Sequence, residues 1–474
     1  MDEKHSNVTA FLKSSGILVV ANIALKCVQL FLMPIYTDYL SAAELGVNDI
    51  IFTTMSMLLP VLTLALDASF SAFYYDKKPD NTKYIFNTIL LILCIQSVIP
   101  LVLCFFSKGI SSILFGNAQY YLGIIFALLS LSINLFYIPF SLKIRMENRM
   151  KVFSLVNVSA TLVLVAANLL FVVVLKQGYL ALVVSQAITN VYQLVAYSAF
   201  AHAKCEIRFV SKAYVKTVIQ YGLPLIPVGV FSWILSSCDR YMLLYMCGEE
   251  QVGLYGIGAR FLTVLNVIVG AVNMAYTTFA FKNRDSQYAK EMYIGIFSAL
   301  SFLLAGICFT VSLFSKEIVS AMTTAEYHQA FSLILPLLYS QASLAMTNVV
   351  GYGIAFEKKS RYYLLTTVIS AIVNIVLNFF LVGIFQADGA AFATLIAHVF
   401  QLGITYLIAE RLYPCHYPLQ KAVTTFAGTF AIAYLTTGFG FIPKVGVYLA
   451  VVILFVFYYR KEISSAKKIL EKKE

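Results

Sequence analysis

The sequence predicts an all-α polytopic membrane protein with fourteen transmembrane helices. Of its 474 residues, 60% are hydrophobic and only 12% are charged, whereas a soluble domain carries about 25% charged residues. The apolar residues form long stretches separated by short polar connectors, and a stretch of about 20 residues spans a hydrocarbon core of ~30 Å as a helix. The predicted spans are 14–36, 45–74, 83–106, 119–142, 152–175, 178–201, 214–237, 250–281, 292–314, 329–356, 362–383, 388–409, 420–439 and 441–459.

The basic residues are distributed unevenly between the two sides of this predicted topology. Of the 34 Lys and Arg residues, 27 fall on the side that holds both termini and five on the other, while Lys26 and Arg260 lie within spans. Cytoplasmic connectors carry such an excess of positive charge. We therefore expect both termini to be cytoplasmic, and the net charge of +11 reflects topology and not a nucleic-acid partner.

Cofactor and enzyme signatures are missing from the sequence. The eight Cys and five His residues are scattered without metal-ligand spacing, so no metal site is predicted. No Walker-type glycine loop is present, and no cofactor is expected. The connectors are too short for a catalytic extramembrane domain, which argues against an enzyme. The first span is too long for a cleavable signal peptide and carries Lys26 near its middle.

An internal repeat divides the chain. An offset of 207 residues places Gly46 on Gly253, and an offset of 210 places Glu147 on Glu357 and Asn168 on Asn378. Spans 1–6 therefore resemble spans 7–12 in the same orientation, an arrangement known in transporters with a substrate path between the halves. The predicted domains are a six-helix bundle over 1–210, a second over 211–412, and two extra helices with a basic tail over 413–474, with a central cavity between the bundles.

Polar side chains form stripes at helical spacing within several spans. Such stripes face either a neighbouring helix or a water-filled cavity, because polar atoms facing lipid are costly. The stripes are Ser15, Asn22, Lys26, Gln29 and Met33 in span 1; Asp49, Thr53, Ser56, Pro60, Thr63, Asp67, Ser71 and Tyr74 in span 2; Ser130, Asn134, Tyr137 and Ser141 in span 4; Asn157, Thr161 and Asn168 in span 5; and Gly253, Gly256, Arg260, Thr263, Gly270, Asn273 and Thr277 in span 8.

The charges within the spans allow two interpretations. Lys26 is too deep to reach the interface, so it either pairs with Asp67 or lines a passage for an anionic substrate. Asp239 and Arg240 at the end of span 7 point about 100° apart and are expected to have different partners. Arg240 suits a phosphate or anchors a loop, and Arg260 either reaches the outer interface or contributes to a site.

Three passages resemble a known family. They are Pro-Ile-Tyr-Thr-Asp-Tyr-Leu-Ser-Ala-Ala-Glu-Leu-Gly at 34–46; Asp239-Arg240 with Gly248, Val252-Gly253-Leu254-Tyr255 and Ala259-Arg260; and Asn374, Asn378 and Gly383 with Gly389-Ala390-Ala391 and Ala393-Thr394. Together with the spans, they resemble the bacterial polysaccharide (O-antigen or capsule) repeat-unit flippases of the multidrug/oligosaccharidyl-lipid/polysaccharide exporter superfamily.

The resemblance implies alternating access in the bacterial inner membrane. The implied substrate is an oligosaccharide linked through diphosphate to a polyprenyl lipid, and the implied charged signature is Asp239, Arg240 and Arg260. We expect proton or sodium coupling, with Asp67 and Asp239 as candidates. The expected cavity residues are Asn22, Lys26, Gln29, Thr53, Arg240, Arg260 and Asn273.

Three other functions stay open at this stage. A drug or cation antiporter of the same superfamily is the nearest, although such a site needs buried acids, and the inward charges here lean basic. A flippase for a peptidoglycan precursor differs only in cargo. A membrane glycosyltransferase or polymerase requires a sizeable outer loop that this chain lacks.

Overall fold

The computed structural model describes residues 30–75, 80–202, 206–283, 288–357, 359 and 361–459. Within these ranges the regular structure is entirely helical, which confirms the predicted all-α class. The α-helices in chain order are α1 (Met33–Tyr39), α2 (Ala42–Thr63), α3 (Leu66–Phe73), α4 (Asn81–Gln96), α5 (Val98–Cys104), α6 (Ser107–Phe115), α7 (Tyr121–Met146), α8 (Met150–Asn168), α9 (Leu180–Phe200), α10 (Lys212–Gly222), α11 (Ile226–Cys247), α12 (Glu249–Arg260), α13 (Leu262–Asn283), α14 (Ala289–Leu313), α15 (Ser315–Met322), α16 (Phe331–Phe356), α17 (Arg361–Leu412), α18 (Leu419–Leu435) and α19 (Phe441–Tyr458).

Eight helical segments of the described chain are long and apolar enough to cross a membrane. A ninth is added if the pair Lys212–Leu225 and Gly229–Cys247, bent by 42°, counts as one span. The polytopic membrane architecture is thus confirmed. The count of fourteen stays a prediction, because most of the first predicted span lies outside the described residues and several other spans are divided into shorter helices.

The chain divides into two compact units, one ending at Gly253 and the other beginning at Leu254. In the first unit, α7 is central: Leu135 packs in one apolar cluster with α3 and α4, and Ile124 and Leu128 pack in another with α2 and α9. In the second unit, α16 is central, since 78% of the spanning stretch within Ala325–Phe356 is buried compared with 28% for Arg361–Leu412.

The start of α2 is fixed by a capping box. The Ser41 hydroxyl accepts a hydrogen bond from the Glu44 backbone N–H at 3.3 Å, and the Ser41 backbone N–H donates to the Glu44 carboxylate at 3.0 Å. This reciprocal pair satisfies two N–H groups that a helix end leaves without partners. The residue at which α2 begins is therefore fixed, and with it the positions of Asp49, Thr53 and Ser56 along the helix.

Two predicted spans deviate from regular helix. Predicted span 2 is broken at Leu64 and Ala65, which adopt left-handed conformations with φ of 51° and 50° and separate α2 from α3. Within α17, Gln386 has φ 52° and ψ −129°, so the predicted connector between spans 11 and 12 is a single sharp turn. The backbone approaches itself closely there, since a Cβ on Gly389 would lie 2.1 Å from the Leu381 carbonyl oxygen.

Helices α2 and α12 cross in backbone contact at two glycines. A Cβ on Gly46 would lie 1.8 Å from the Glu249 carbonyl oxygen, and one on Gly253 would lie 1.9 Å from that of Ala42. The repeat offset of 207 makes these two glycines equivalent in sequence. Small residues at such a crossing allow two helices to pack closely within a membrane.

A buried ion pair joins α15 to α19 in the second unit. The Lys444 ammonium, whose side chain is fully buried, donates to both carboxylate oxygens of Glu317 at 2.9 Å. Lys444 is one of the five basic residues counted on the outer side, at the start of the predicted span 441–459, and its partner 127 positions earlier in the chain could not be foreseen. A buried ammonium without such a partner is strongly destabilising.

Replacing either contact glycine by alanine should destabilise the fold. We expect Gly46→Ala and Gly253→Ala each to cost about 1–3 kcal/mol, because the added methyl group forces the two backbones apart. The melting temperature of the purified protein in detergent measures this effect. Gly109→Ala, at a helical position with open space around it, is the matched control and should leave the melting temperature unchanged or slightly raised, because alanine favours a helix more than glycine does. Equal melting temperatures for all three variants would contradict the close crossing.

Replacing Glu317 alone should destabilise the fold more than replacing Glu317 and Lys444 together. We expect Glu317→Gln to lower stability by about 2 kcal/mol, since Glu317 is partly exposed, and the double variant Glu317→Gln/Lys444→Met to recover most of this loss. Thermal melts of both variants provide the measurement. Lys316→Met, which removes an exposed charge beside Glu317, is the control. A double variant less stable than Glu317→Gln would disprove the interpretation.

Candidate functional site

The charged cluster of the first unit consists of Asp49 on α2 and Asp239 and Arg240 on α11. The Arg240 guanidinium lies 3.6 Å from the Asp49 carboxylate through Nε and 3.7 Å from the Asp239 carboxylate through Nη1. The Asp239 side chain is only 3% exposed, and its carboxylate also accepts the Arg240 backbone N–H at 2.9 Å. These three side chains carry a formal charge of −1 in total.

This arrangement corrects two expectations from the sequence. Helix α11 continues to Cys247, beyond the predicted end at 237, so Asp239 and Arg240 lie within the helix and not at its end. The two side chains were also expected to serve different partners. They contact each other, because the long arginine side chain can turn back along the helix despite the 100° separation of neighbouring positions.

Two further hydrogen bonds connect α2 with α11. The Tyr241 and Thr54 hydroxyls lie 2.7 Å apart, and the Trp233 indole N–H donates to the Ser56 hydroxyl at 2.9 Å. Trp233 and Tyr241 contact each other edge to face, with ring centroids 5.8 Å apart. The predicted stripe on α2 thus faces a helix through Asp49 and Ser56. Thr54, Trp233 and Tyr241 were missed, since no sequence signal distinguishes them from the many other hydroxyl and aromatic residues.

The remaining predicted site residues are distributed as follows. Thr53 is buried, and its carbonyl oxygen accepts the Ser56 hydroxyl at 2.7 Å. Asp67 is exposed in the first turn of α3, directly after the break in span 2. Arg260 and Asn273 belong to the second unit, where both are partly buried. Asn22, Lys26 and Gln29 lie outside the described residues.

A cavity of about 180 Å³ lies between α2, α7 and α9 of the first unit. Its polar lining is Ser56, Ser130, Asn134, Gln186 and Asn190, and its apolar lining includes Phe52, Met55 and Leu59. Ser130 and Asn134 belong to the stripe predicted for span 4, and the cavity accounts for their polar character. Gln186 and Asn190, one helical turn apart on α9, were not predicted.

A buried polar seam connects the two halves of α17 in the second unit. The Asn378 side-chain amide donates to the side-chain Oδ1 of Asn374 at 3.0 Å, and the Asn374 side-chain amide donates to the Thr394 hydroxyl at 3.4 Å. These residues belong to the third passage that carried the family resemblance. In the part of the chain that the structure describes, no group of three or more His, Cys, Asp or Glu side chains could hold a metal ion.

Comparison with known proteins gives relatives in sequence and in fold. Lsg locus putative protein 1 of Haemophilus influenzae is 23% identical over 304 residues, which cover 62% of this chain and 71% of that protein. The solved structure of the lipid II flippase MurJ in an inward closed conformation matches with a TM-score of 0.75 and 13% identity, covering 94% of this chain and 99% of that chain. The solved structure of an inward-facing multidrug resistance MATE family transporter of the MOP superfamily matches with a TM-score of 0.65 and 13% identity. The match covers 83% of this chain and 97% of that chain.

The helices, their order and these matches define a multi-pass membrane protein with the fold shared by MurJ and the MATE transporters. The family defined by sequence is narrower than the group of proteins that share this fold. The chain belongs to the polysaccharide biosynthesis protein family, whose model matches residues 11–280, more than half of its length.

Proposed function

We propose that this protein is a flippase for polyprenyl-diphosphate-linked oligosaccharide repeat units. It would move them by alternating access from the cytoplasmic to the outer leaflet of the bacterial inner membrane, for the synthesis of a surface polysaccharide such as O-antigen or capsule. Membership of the polysaccharide biosynthesis family is the observation that carries the proposal. The fold shared with the lipid II flippase MurJ supports it.

The physical chemistry of the headgroup explains why such a protein is needed. A diphosphate with attached sugars cannot enter hydrocarbon without losing its hydration, at a cost of many kcal/mol. A passage lined with polar side chains lowers that cost, while the polyprenyl chain stays in lipid. No covalent bond is made or broken in this transfer, so the role proposed is transport and not catalysis.

Arg240 is the proposed contact for the diphosphate in the first unit. A guanidinium presents its N–H donors in a planar fork that matches phosphate oxygens. In this structure its charge is offset by Asp49 and Asp239, so an anionic headgroup has to compete with these carboxylates. Asp49, the more exposed of the two at 26%, is the partner that a diphosphate would displace.

One observation favours a second candidate, a drug or cation antiporter. Among the described residues, the cluster of Asp49, Asp239 and Arg240 has two acidic groups for one basic group, and a cation prefers such a balance. The fold is also shared with a multidrug resistance MATE transporter. The two functions differ in the charge of the cargo.

Reconstituted vesicles distinguish the two functions. Movement of a labelled polyprenyl-diphosphate-linked oligosaccharide between leaflets is compared with export of a cationic dye by the same preparation. The flippase proposal requires the first activity above that of protein-free vesicles. Dye export without movement of the lipid-linked oligosaccharide would contradict the flippase proposal and support the antiporter function.

Replacing Arg240 should slow lipid transfer, whereas replacing Asp49 should strengthen substrate binding. We expect Arg240→Gln to slow transfer about tenfold or more, the scale of a lost charged hydrogen bond. Asp49→Asn should lower the half-saturating substrate concentration severalfold, because it removes the competing carboxylate. Transfer rates at several substrate densities give both values. Arg208→Gln, which removes an exposed arginine paired with Glu206, is the control. If Asp49→Asn slowed transfer as Arg240→Gln does, the pair would be structural and not a phosphate contact.

Ion coupling is proposed to act through Asp67, an acidic group that follows directly after a break in a spanning segment. We expect Asp67→Asn to abolish the dependence of transfer on an imposed proton or sodium gradient, because an amide neither releases a proton nor attracts a cation. Transfer with and without each gradient is the measurement. Asp80→Asn, at an exposed aspartate paired with Lys83, is the matched control. Normal gradient dependence in Asp67→Asn would remove Asp67 from the mechanism.

A further inference from the structure

We propose that the cavity between α2, α7 and α9 binds one uncharged sugar ring of the transported oligosaccharide. This inference rests on the proposed flippase function and adds to it a separate subsite for carbohydrate. Among the described residues that line the cavity, none carries a formal charge. Neither a diphosphate nor a cation finds a counter-charge there, so the lining favours a neutral polar ligand.

The hydrogen bonds in the cavity distinguish Asn190, which holds its neighbours in place, from Gln186 and Asn134, which can still bond to a ligand. Asn190 uses its whole amide group: it donates to the Ser130 carbonyl at 3.0 Å and the Ser130 hydroxyl at 2.8 Å, and it accepts from the Gln186 amide at 3.0 Å. A buried amide with all its bonds made holds its neighbours in a fixed arrangement. Asn190 therefore orients Gln186 and Ser130 along one wall.

Gln186 and Asn134 keep hydrogen-bonding capacity for a ligand. Among described residues, Gln186 bonds only to Asn190, and Asn134 donates to the Tyr137 hydroxyl at 3.0 Å and makes no other bond. A primary amide has two N–H donors and a carbonyl acceptor, so each side chain retains one donor and its acceptor. Sugar hydroxyls donate and accept together, which matches this pair.

The apolar part of the lining suits the apolar face of a sugar ring. Phe52, Met55 and Leu59 from α2 supply aromatic and aliphatic surface, and binding pockets commonly combine such surface with a few placed polar groups. The volume of about 180 Å³ would hold about six waters at ~30 Å³ each, the scale of one sugar ring and not of a whole oligosaccharide.

The protein contains its own reporter for this cavity. Trp233 is the only tryptophan of the chain, and its indole N–H donates to the hydroxyl of Ser56, which lines the cavity. Indole emission depends on the polarity and hydrogen bonding around the ring. A sugar that displaces water beside Ser56 therefore changes Trp233 emission.

The binding experiment titrates the purified full-length protein with free sugars while Trp233 emission is followed. The probes are a hexose, an N-acetylhexosamine and a 6-deoxyhexose, with sorbitol as the acyclic polyol for comparison. We expect a saturable emission change with at least one cyclic sugar and none with sorbitol. In Gln186→Leu the half-saturating concentration should rise about three- to tenfold, as expected for one lost hydrogen bond.

Gln193→Leu is the matched control. It makes the same chemical change on α9 at a residue that does not line the cavity, and it should titrate like the wild type. If Gln186→Leu fails to fold, Asn134→Leu takes its place. The subsite is disproved if every sugar gives no saturable change, if sorbitol matches the sugars, or if the cavity variants titrate like Gln193→Leu.

A transport arm separates failure of this inference from failure of the proposed function. Wild-type vesicles are supplied with polyprenyl diphosphate carrying the oligosaccharide or carrying no sugar. We expect the sugar-bearing lipid to be preferred, and this preference to fall about three- to tenfold in Gln186→Leu. An unchanged preference removes the subsite alone. Absence of transfer for both lipids in the wild type removes the flippase function, whatever the titration shows.

Discussion

A polar group within the hydrocarbon of a membrane has to find its partner inside the protein, and this constraint governs the described structure. Backbone groups satisfy it by forming helices. Side chains satisfy it in pairs: Lys444 is enclosed by the Glu317 carboxylate, Arg240 lies between two carboxylates, and Asn374 bonds to Asn378 across one helical turn. Each pair joins separate segments or fixes a side chain within a helix, and so adds to the apolar packing between the helices.

The fold could be predicted largely because helix length and apolar composition are local properties. The stretches that form α7, α9 and α14 are visible in the sequence as long, predominantly apolar runs. The breaks were not predictable: Leu64, Ala65 and Gln386 adopt left-handed conformations that such residues rarely take, and nothing in their identity signals it. Tertiary packing imposes these conformations, and a linear pattern does not contain it.

The candidate site was predictable in its residues but less so in its pairings. Asp49 and Arg240 were both singled out, yet they are 191 positions apart, and only the folded chain shows them in contact. The amides of Gln186 and Asn190 escaped notice, although together with Gln193 they follow one another along span 6 at steps of four and three residues. Their meaning depends on Ser130 and Asn134 from α7, which complete the cavity. One helix, α2, faces both the charged cluster through Asp49 and the neutral cavity through Ser56, so a charged and an uncharged polar surface lie on the same helix within one unit.

The break after α2 has a mechanical consequence. The Leu64 carbonyl lies against Gly222, where a Cβ would approach it to 2.2 Å, and the Ser69 hydroxyl donates to the Val218 carbonyl at 2.9 Å. The short helix α3, which carries Asp67, therefore packs against α10, whereas the break separates it from α2, the other helix of predicted span 2. Helix α10 leads through Leu223–Leu225 into α11, the helix of Trp233 and Arg240. Asp67 and Arg240 thus lie on segments that are linked through α10, which packs against α3, while the left-handed residues Leu64 and Ala65 interrupt the helix between Asp67 and α2.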